Sequence, residues 1–98
     1  MSRIELAPEV ADDFERILDY LAQYEVDDRA ARIGEIIQAI SILEHNPLIG
    51  RLASGEMNEL VIGRRTHGYI ALYRYVPVID TVFVLAIRRQ REVGYARE

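Results

Sequence analysis

Apolar and polar residues follow the period of a strand at the start of the chain and then the period of a helix. Residues 2–6 alternate singly, which predicts a short strand with one buried face. Residues 8–24 carry apolar side chains at steps of three and four, which predicts an amphipathic helix that starts near Pro8. The predicted buried stripe of this helix is Val10, Phe14, Ile17, Leu18 and Leu21, and the charged residues expected in solvent are Asp12, Asp13, Glu15, Arg16 and Asp19.

A second helix is predicted to begin at Asp27 or Asp28, either of which can cap its first turn with a side-chain oxygen. It is predicted to end at Asn46-Pro47, because the residue before a proline disfavours helical geometry. Only a few residues join the two helices, so we expect an antiparallel helical hairpin. The apolar stripe of the second helix is Ile33, Ile36, Ile37, Ile40 and Leu43.

Three strands are predicted after a loop that contains Gly50 and Gly55, and they span residues 58–62, 67–76 and 81–87. The last of them is apolar throughout, which is typical of a strand covered on both faces. A helical hairpin must bury its stripe on another layer, and the sheet is the available surface. The sequence therefore predicts one α+β domain over residues 1–98, in the order β-α-α-β-β-β, with the hairpin packed on a mainly antiparallel sheet.

The charge and composition exclude several classes of function. The formal net charge is −4 over 98 residues, with −7 in residues 1–50 and +3 in residues 51–98. An acidic chain is a poor general binder of nucleic acid, because phosphate contacts dominate that affinity. The chain has no cysteine and no lysine, which excludes disulfides and any mechanism that needs a lysine. No signal-peptide pattern and no apolar run of membrane length is present, so a cytoplasmic protein is expected.

Catalytic motifs are missing from the sequence. It contains no nucleophile elbow, phosphate-binding loop or dinucleotide fingerprint, and neither His45 nor His67 has a partner at metal-ligand spacing. We therefore expect no metal and no cofactor. Tyr69, Tyr73 and Tyr75 share one face of a predicted strand, where they either pack beneath the helices or offer an aromatic surface to a partner.

The arginines of the second half form the most suggestive set. They come from four segments that neighbour each other in the predicted sheet, so they should repel one another unless acidic groups meet them. Two interpretations stay open. The arginines either pair with the chain's own Glu56, Glu59, Asp80 and Glu92, or they contact carboxylates or phosphates of a partner, which guanidinium groups suit. The set is Arg51, Arg64, Arg65, Arg74, Arg88, Arg89 and Arg91.

Four motifs, taken in order, resemble the RelE/ParE superfamily of toxins, also called plasmid-stabilisation proteins. Residues 43–51 match the pattern L-x-x-x-P-x-x-G-R, and Glu59-Leu60 matches the end of an R-E-L element. Residues 69–74 match Y-x-x-x-Y-R, and residues 82–91 match the closing strand V-x-V-L-x-I-R-x-x-R. With the preceding strand and helix, the resemblance covers nearly the whole chain.

The resemblance implies the toxin of a type II toxin–antitoxin system, which a cognate antitoxin neutralises in a hetero-oligomer. ParE-like members inhibit DNA gyrase and are not enzymes. RelE-like members cleave mRNA on the ribosome with lysine, arginine and a late tyrosine, or with glutamate, arginine and histidine. This chain has Arg88-Arg89 where the late histidine is expected, and the sequence around Tyr95 supplies no base. These departures favour the ParE-like branch.

Three functions therefore stay open. A gyrase inhibitor is the first, and its predicted partner-binding residues are Arg51, Glu59, Arg64, Arg65, Tyr73, Arg74, Arg88, Arg89, Arg91 and Tyr95. A RelE-like endoribonuclease is the second, and its predicted catalytic residues are Arg65, Arg74, Arg88 and Tyr95. The third is an inactive member that only binds its antitoxin, because Asn58 stands where the family usually has arginine.

Overall fold

Five strands and two α-helices are present in residues 1–24, 27–63 and 68–95, which are the residues that the computed structural model describes. The elements are β1 (Arg3–Leu6), α1 (Glu9–Gln23), α2 (Arg29–Ile40), a 3-10 turn (Ser41–Glu44), β2 (Arg51–Leu52), β3 (Met57–Ile62), β4 (Tyr69–Val76), a 3-10 turn (Pro77–Ile79) and β5 (Thr81–Arg89). Within this described part of the chain, no helix is long and apolar enough to cross a membrane.

The strands form one sheet in the order β1-β5-β4-β3-β2. Its neighbouring strands are antiparallel except for β1 and β5, which run parallel. Parallel neighbours need a long crossover, and here the two helices belong to it. The predicted α+β class and the order β-α-α-β-β-β are confirmed, with one additional strand.

The additional strand is β2, in a segment where the sequence predicted a loop. Arg51 lies opposite Glu59 and Leu52 lies opposite Asn58, so β2 forms one edge of the sheet. Two residues are too few for an alternating pattern to be recognised, which is why the sequence did not reveal this strand.

The core lies between the helices and one face of the sheet. Tyr69 and Tyr73 are 5% and 0% exposed within it, and Tyr75 packs at its margin. Of the two interpretations of the tyrosines, packing beneath the helices is therefore correct for Tyr69 and Tyr73. Tyr73 has no surface left for a partner, although it was among the predicted partner-binding residues. The other main core residues are Val10, Ile17, Leu21, Ile36, Ile40, Leu43, Val82, Val84 and Ile87.

Gly50 lets the chain pass closely over Tyr73 just before β2. Its N–H donates to the Tyr73 hydroxyl at 2.9 Å. A Cβ atom at this position would lie 2.6 Å from the backbone oxygen of Glu59 and 2.7 Å from the Tyr73 hydroxyl. Because such distances are too short for a carbon atom, the close approach requires glycine, and this explains the glycine of the pattern in residues 43–51.

Replacing Gly50 with alanine is expected to lower the free energy of unfolding by about 1–3 kcal/mol, since the backbone must move to admit the methyl group. Urea denaturation would measure the change. Gly34→Ala is the matched control, because a Cβ atom there meets nothing within 4 Å. This control should stabilise α2 by up to about 1 kcal/mol. An equal loss of stability in both variants would contradict the explanation.

Two details of α2 differ from the sequence prediction. Asp28 precedes the helix, but its backbone is left-handed (φ 55°) and its side chain makes no capping hydrogen bond to the described first turn. The predicted side-chain cap is therefore wrong at Asp28. Ile37, which was predicted to lie in the buried stripe, is 51% exposed.

Asp13 is 1% exposed, so the prediction that it lies in solvent was wrong. Its Oδ2 atom accepts the N–H of Ile87 at 2.9 Å. Arg16 donates to Asp13 Oδ1 at 2.9 Å and to the Ile87 carbonyl at 3.1 Å. Since β1 ends at Leu6, opposite Val84, it does not reach this part of β5. The two side chains therefore satisfy the backbone of Ile87 in place of a neighbouring strand.

Candidate functional site

The charged residues of the sheet lie on the face turned away from the helices, which we call the open face. In β3, Asn58 and Ile62 are buried toward the helices, so Glu59 and Val61 point to the opposite side. Residues of the open face include Arg51, Glu59, Arg74, Arg88 and Tyr95. The burial of Asn58 places it away from this face, in the interior of the structure.

A β-bulge in β5 decides which of the neighbouring residues Arg88 and Arg89 lies on the open face, because successive strand residues point to opposite faces. Leu72 lies opposite Ala86 and Tyr73 lies opposite Val84, so β5 has one extra residue between these pairs. Such a bulge reverses the faces of the residues that follow it. Arg89 therefore lies on the helical side and Arg88 on the open face. Phe83 and Leu85 are only partly buried, so the prediction that β5 is covered on both faces is wrong at these two residues.

Four side chains, those of Arg51, Glu59, Arg88 and Tyr95, converge on the open face and form the Glu59 cluster. Tyr95 donates its hydroxyl hydrogen to Glu59 Oε2 at 2.6 Å, and Arg51 donates from Nε to Oε1 at 3.1 Å. The guanidinium carbon of Arg88 lies 5.1 Å from the centre of the Tyr95 ring, within cation–π range. The Glu59 side chain is 14% exposed and that of Arg51 is 59% exposed, so the carboxylate is the more enclosed partner.

The Glu59 cluster fixes the protonation of both its acidic groups. The hydrogen bond from Tyr95 lowers the pKa of Glu59, and Arg51 lowers it further, against the opposing effect of burial. Burial raises the pKa of Tyr95, and the adjacent Glu59 carboxylate raises it further. At neutral pH Glu59 is therefore ionised and Tyr95 keeps its proton.

A carboxylate next to Tyr95 was not expected from the sequence, because Glu92, Val93 and Gly94 supply no obvious base partner for this tyrosine. The structure corrects that expectation with Glu59, which is 36 residues away along the chain. The contact forms because residues 90–95 fold back across the open face, and no local pattern in the sequence indicates this path.

The turn after β5 is fixed by Arg88, Arg16 and Glu92. Nη1 of Arg88 donates at 3.0–3.2 Å to the backbone carbonyls of Arg89, Gln90 and Glu92. The Glu92 carboxylate accepts two hydrogen bonds from Arg16, at 2.8 and 3.1 Å, and one from the N–H of Arg89 at 2.6 Å. Burial acts to raise the pKa of Glu92, but the bonds from Arg16 and Arg89 outweigh it and lower the pKa.

The other predicted arginines differ in how far they are available to a partner. Arg89 lies 3.5 Å from the ring centre of Tyr20 on α1. Arg74 pairs with Glu56 at 2.7 Å, and their side chains are 50% and 76% exposed. Arg91 is exposed and has no ion-pair partner among the described residues. Among the described arginines of this set, Arg51, Arg74 and Arg91 are thus the most exposed to solvent.

Internal pairing accounts for part of the arginine set. Three of the four carboxylates considered as internal partners, Glu56, Glu59 and Glu92, do meet arginines. The fourth, Asp80, instead accepts hydrogen bonds from the hydroxyls of Ser2 and Tyr75, at 2.6 and 2.7 Å. Arg64, Arg65 and His67 lie outside the described residues.

Sequence reasoning missed Arg16 and Asp13 as residues that support this region. Their spacing of three along α1 was a visible signal for an ion pair. The third member, Glu92, is 76 residues from Arg16, so nothing local indicates its part. Together, Asp13, Arg16 and Glu92 attach the end of β5 and the turn after it to helix α1.

The fold is that of the RelE/ParE toxins. The chain superposes on a structure of the chromosomal ParDE toxin–antitoxin system from P. aeruginosa with a TM-score of 0.73 and 19% identity, covering 91% of this chain and 96% of that chain. It also superposes on the intact E. coli RelBE toxin–antitoxin complex with a TM-score of 0.61 and 10% identity, covering 94% of this chain and 100% of that chain. These likenesses confirm the fold that the motifs predicted.

The particular family follows from the sequence profile. The family model for the ParE toxin of the type II toxin–antitoxin system parDE matches residues 4–94. The chain therefore belongs to the ParE toxin family. None of the curated protein sequences compared with the chain matches it.

Proposed function

We propose that this chain is a toxin that inhibits DNA gyrase and so stops replication in the cytoplasm, and that a cognate antitoxin neutralises it in a toxin–antitoxin hetero-oligomer. The observation that carries the proposal is the ParE family match over residues 4–94. The two structural relatives described above are a ParDE system and a RelBE toxin–antitoxin complex, which supports an antitoxin as the partner.

The open face supplies a second reason for preferring gyrase inhibition to RNA cleavage. A general base must be available to take up a proton. Glu59, the carboxylate next to Tyr95, already accepts one hydrogen bond on each oxygen. Its lowered pKa makes it a weaker base still. The Glu59 cluster is therefore suited to stabilising the open face and poorly suited to accepting a proton.

The proposed contact surface consists of the exposed arginines around the Glu59 cluster, namely Arg51, Arg74 and Arg91. Arg88, Arg89, Glu59 and Tyr95 take part by holding the turn after β5 in place. Arg64 and Arg65 remain predicted members of the surface on sequence grounds alone. Arginine is common at protein–protein contacts, and its fork suits carboxylates on a target.

The test is a gyrase assay with the purified chain, relaxed plasmid and ATP, scored for supercoiling and for linear DNA. A gyrase inhibitor of this kind is expected to suppress supercoiling and to accumulate cleaved plasmid, and co-purified antitoxin should abolish both effects. Arg74→Glu is expected to require about tenfold more protein, as a loss of about 1.4 kcal/mol in binding. Arg29→Glu on α2 has the same charge change and should act like the unchanged chain. Unaffected gyrase would reject the proposal.

A RelE-like endoribonuclease is the second candidate, and the hydrogen-bonded Tyr95–Glu59 pair between two arginines is the observation that favours it. Primer extension on a message in translating ribosomes would show new 5′ ends under this alternative. Tyr95→Phe, which removes the only exchangeable proton of that side chain, should then eliminate them. If neither gyrase nor message is affected, a member that only binds its antitoxin remains.

A further inference from the structure

The hydrogen-bond donors of the Glu59 cluster are arranged as in an anion-binding site. The anion that they hold is the carboxylate of Glu59 itself. The Tyr95 hydroxyl and the Arg51 Nε each donate to a different oxygen of Glu59. Arg88 adds a positive charge that also lowers the pKa of Glu59. Guanidinium and phenol donors hydrogen-bond carboxylate and phosphate oxygens alike.

We propose that Arg51, Arg88 and Tyr95 form an oxyanion-binding site, suited to a carboxylate or a phosphate, and that Glu59 occupies this site in the native chain. The site is thereby closed to external anions. A phosphodiester that approached it would have to displace an enclosed carboxylate and would meet its negative charge. Glu59 would occupy this site whichever macromolecule the toxin acts on.

Comparison with a second ion pair, between Arg74 and Glu56, shows how Glu59 differs from a carboxylate in an exposed surface ion pair. Glu56 and Arg74 meet through one contact, and their side chains are 76% and 50% exposed. Removing Glu56 would leave a single solvated arginine. Removing Glu59, which is 14% exposed, would leave two donors, the Tyr95 hydroxyl and Arg51 Nε, around a vacated position next to the positive charge of Arg88.

The first test compares Glu59→Ala with Glu56→Ala, which change the net charge equally. Thermal unfolding would be followed in phosphate, in acetate and in chloride at equal ionic strength. Glu59→Ala is expected to gain stability in phosphate and in acetate, because either ion replaces the missing carboxylate. Glu56→Ala and the unchanged chain should show no such gain. Equal responses of the two variants would overturn the proposal.

The second test measures binding of a labelled single-stranded oligonucleotide by fluorescence anisotropy. Glu59→Ala is expected to bind about tenfold more tightly than Glu56→Ala, the effect of about one added charge-assisted hydrogen bond. The two variants have the same net charge. Equal affinities would therefore mean that net charge alone determines oligonucleotide binding and that the oxyanion-binding site does not exist. Stabilisation by phosphate without tighter oligonucleotide binding would identify a site for small anions only and would overturn the part that concerns phosphodiesters.

Glu59→Gln covers the case in which the alanine variant folds poorly. The amide has the shape of the carboxylate and still accepts the hydrogen bond of Tyr95, so the site should stay filled and show no response to phosphate or acetate. Recovery of the folded alanine variant on addition of acetate would support the proposal. An alanine variant that remains unfolded in both acetate and phosphate would contradict it.

Discussion

Asp13→Ala is expected to lower the free energy of unfolding by about 3–5 kcal/mol, the usual cost of removing one partner from a buried ionic contact. The side chain is 1% exposed and accepts the N–H of Ile87, which β1 does not reach on that side of β5. Its loss leaves a buried donor without its acceptor and removes one partner of Arg16. Urea denaturation monitored by circular dichroism would measure the change.

Asp12→Ala is the matched control for this prediction. Asp12 is the preceding residue on the same helix, carries the same charge and is exposed. Substitutions at such positions usually change stability by less than about 0.5 kcal/mol. Similar effects at positions 12 and 13 would show that the contribution of Asp13 comes from helix charge and does not depend on its contact with β5.

Arg16→Met is expected to lower the free energy of unfolding by about 2–3 kcal/mol. This is somewhat less than the loss expected for a fully buried ionic partner, because the Arg16 side chain is 31% exposed. Methionine keeps much of the apolar length of arginine, so the loss comes mainly from the hydrogen bonds to Asp13, Glu92 and the Ile87 carbonyl. The turn after β5 should also loosen, which amide hydrogen exchange at residues 89–95 would detect.

Two further variants separate these contributions. In a double-mutant cycle with Glu92→Gln, we expect a coupling energy of about 1–2 kcal/mol, since the two side chains share two hydrogen bonds. Arg3→Met breaks the ion pair with Glu5, in which the side chains are 74% and 43% exposed, and should lower the free energy of unfolding by less than about 1 kcal/mol. Additive effects of Arg16 and Glu92 would refute their coupling.

The sequence revealed most of the fold because hydrophobic periodicity extends over long segments. Helix α1 and strands β3, β4 and β5 were predicted within a few residues of their observed bounds. Asp13 shows where periodicity fails. It lies beside apolar positions on helix α1. An acidic side chain is needed at position 13 because β1 ends before Ile87 and leaves the N–H of that residue without a strand acceptor. That information depends on the register between β1 and β5.

The candidate site was less predictable than the fold, for a related reason. The residue types were visible, and Arg51, Glu59, Arg88 and Tyr95 were all named from the sequence. Their convergence depends on the β-bulge that places Arg88 on the open face and on the path of residues 90–95. Both are tertiary features with no local signal, so Glu59 and Tyr95 could not be recognised as partners.

The parallel pair of β1 and β5 also sets the order in which the molecule can assemble. Arg3 pairs with Thr81, so β1 can join the sheet only after β5 has been synthesised. Helix α1 packs mainly on β5, and until β5 is made its apolar stripe has no sheet to cover. Contacts between such distant segments form slowly. The sheet, and the core between it and α1, can therefore be completed only after β5 has been synthesised.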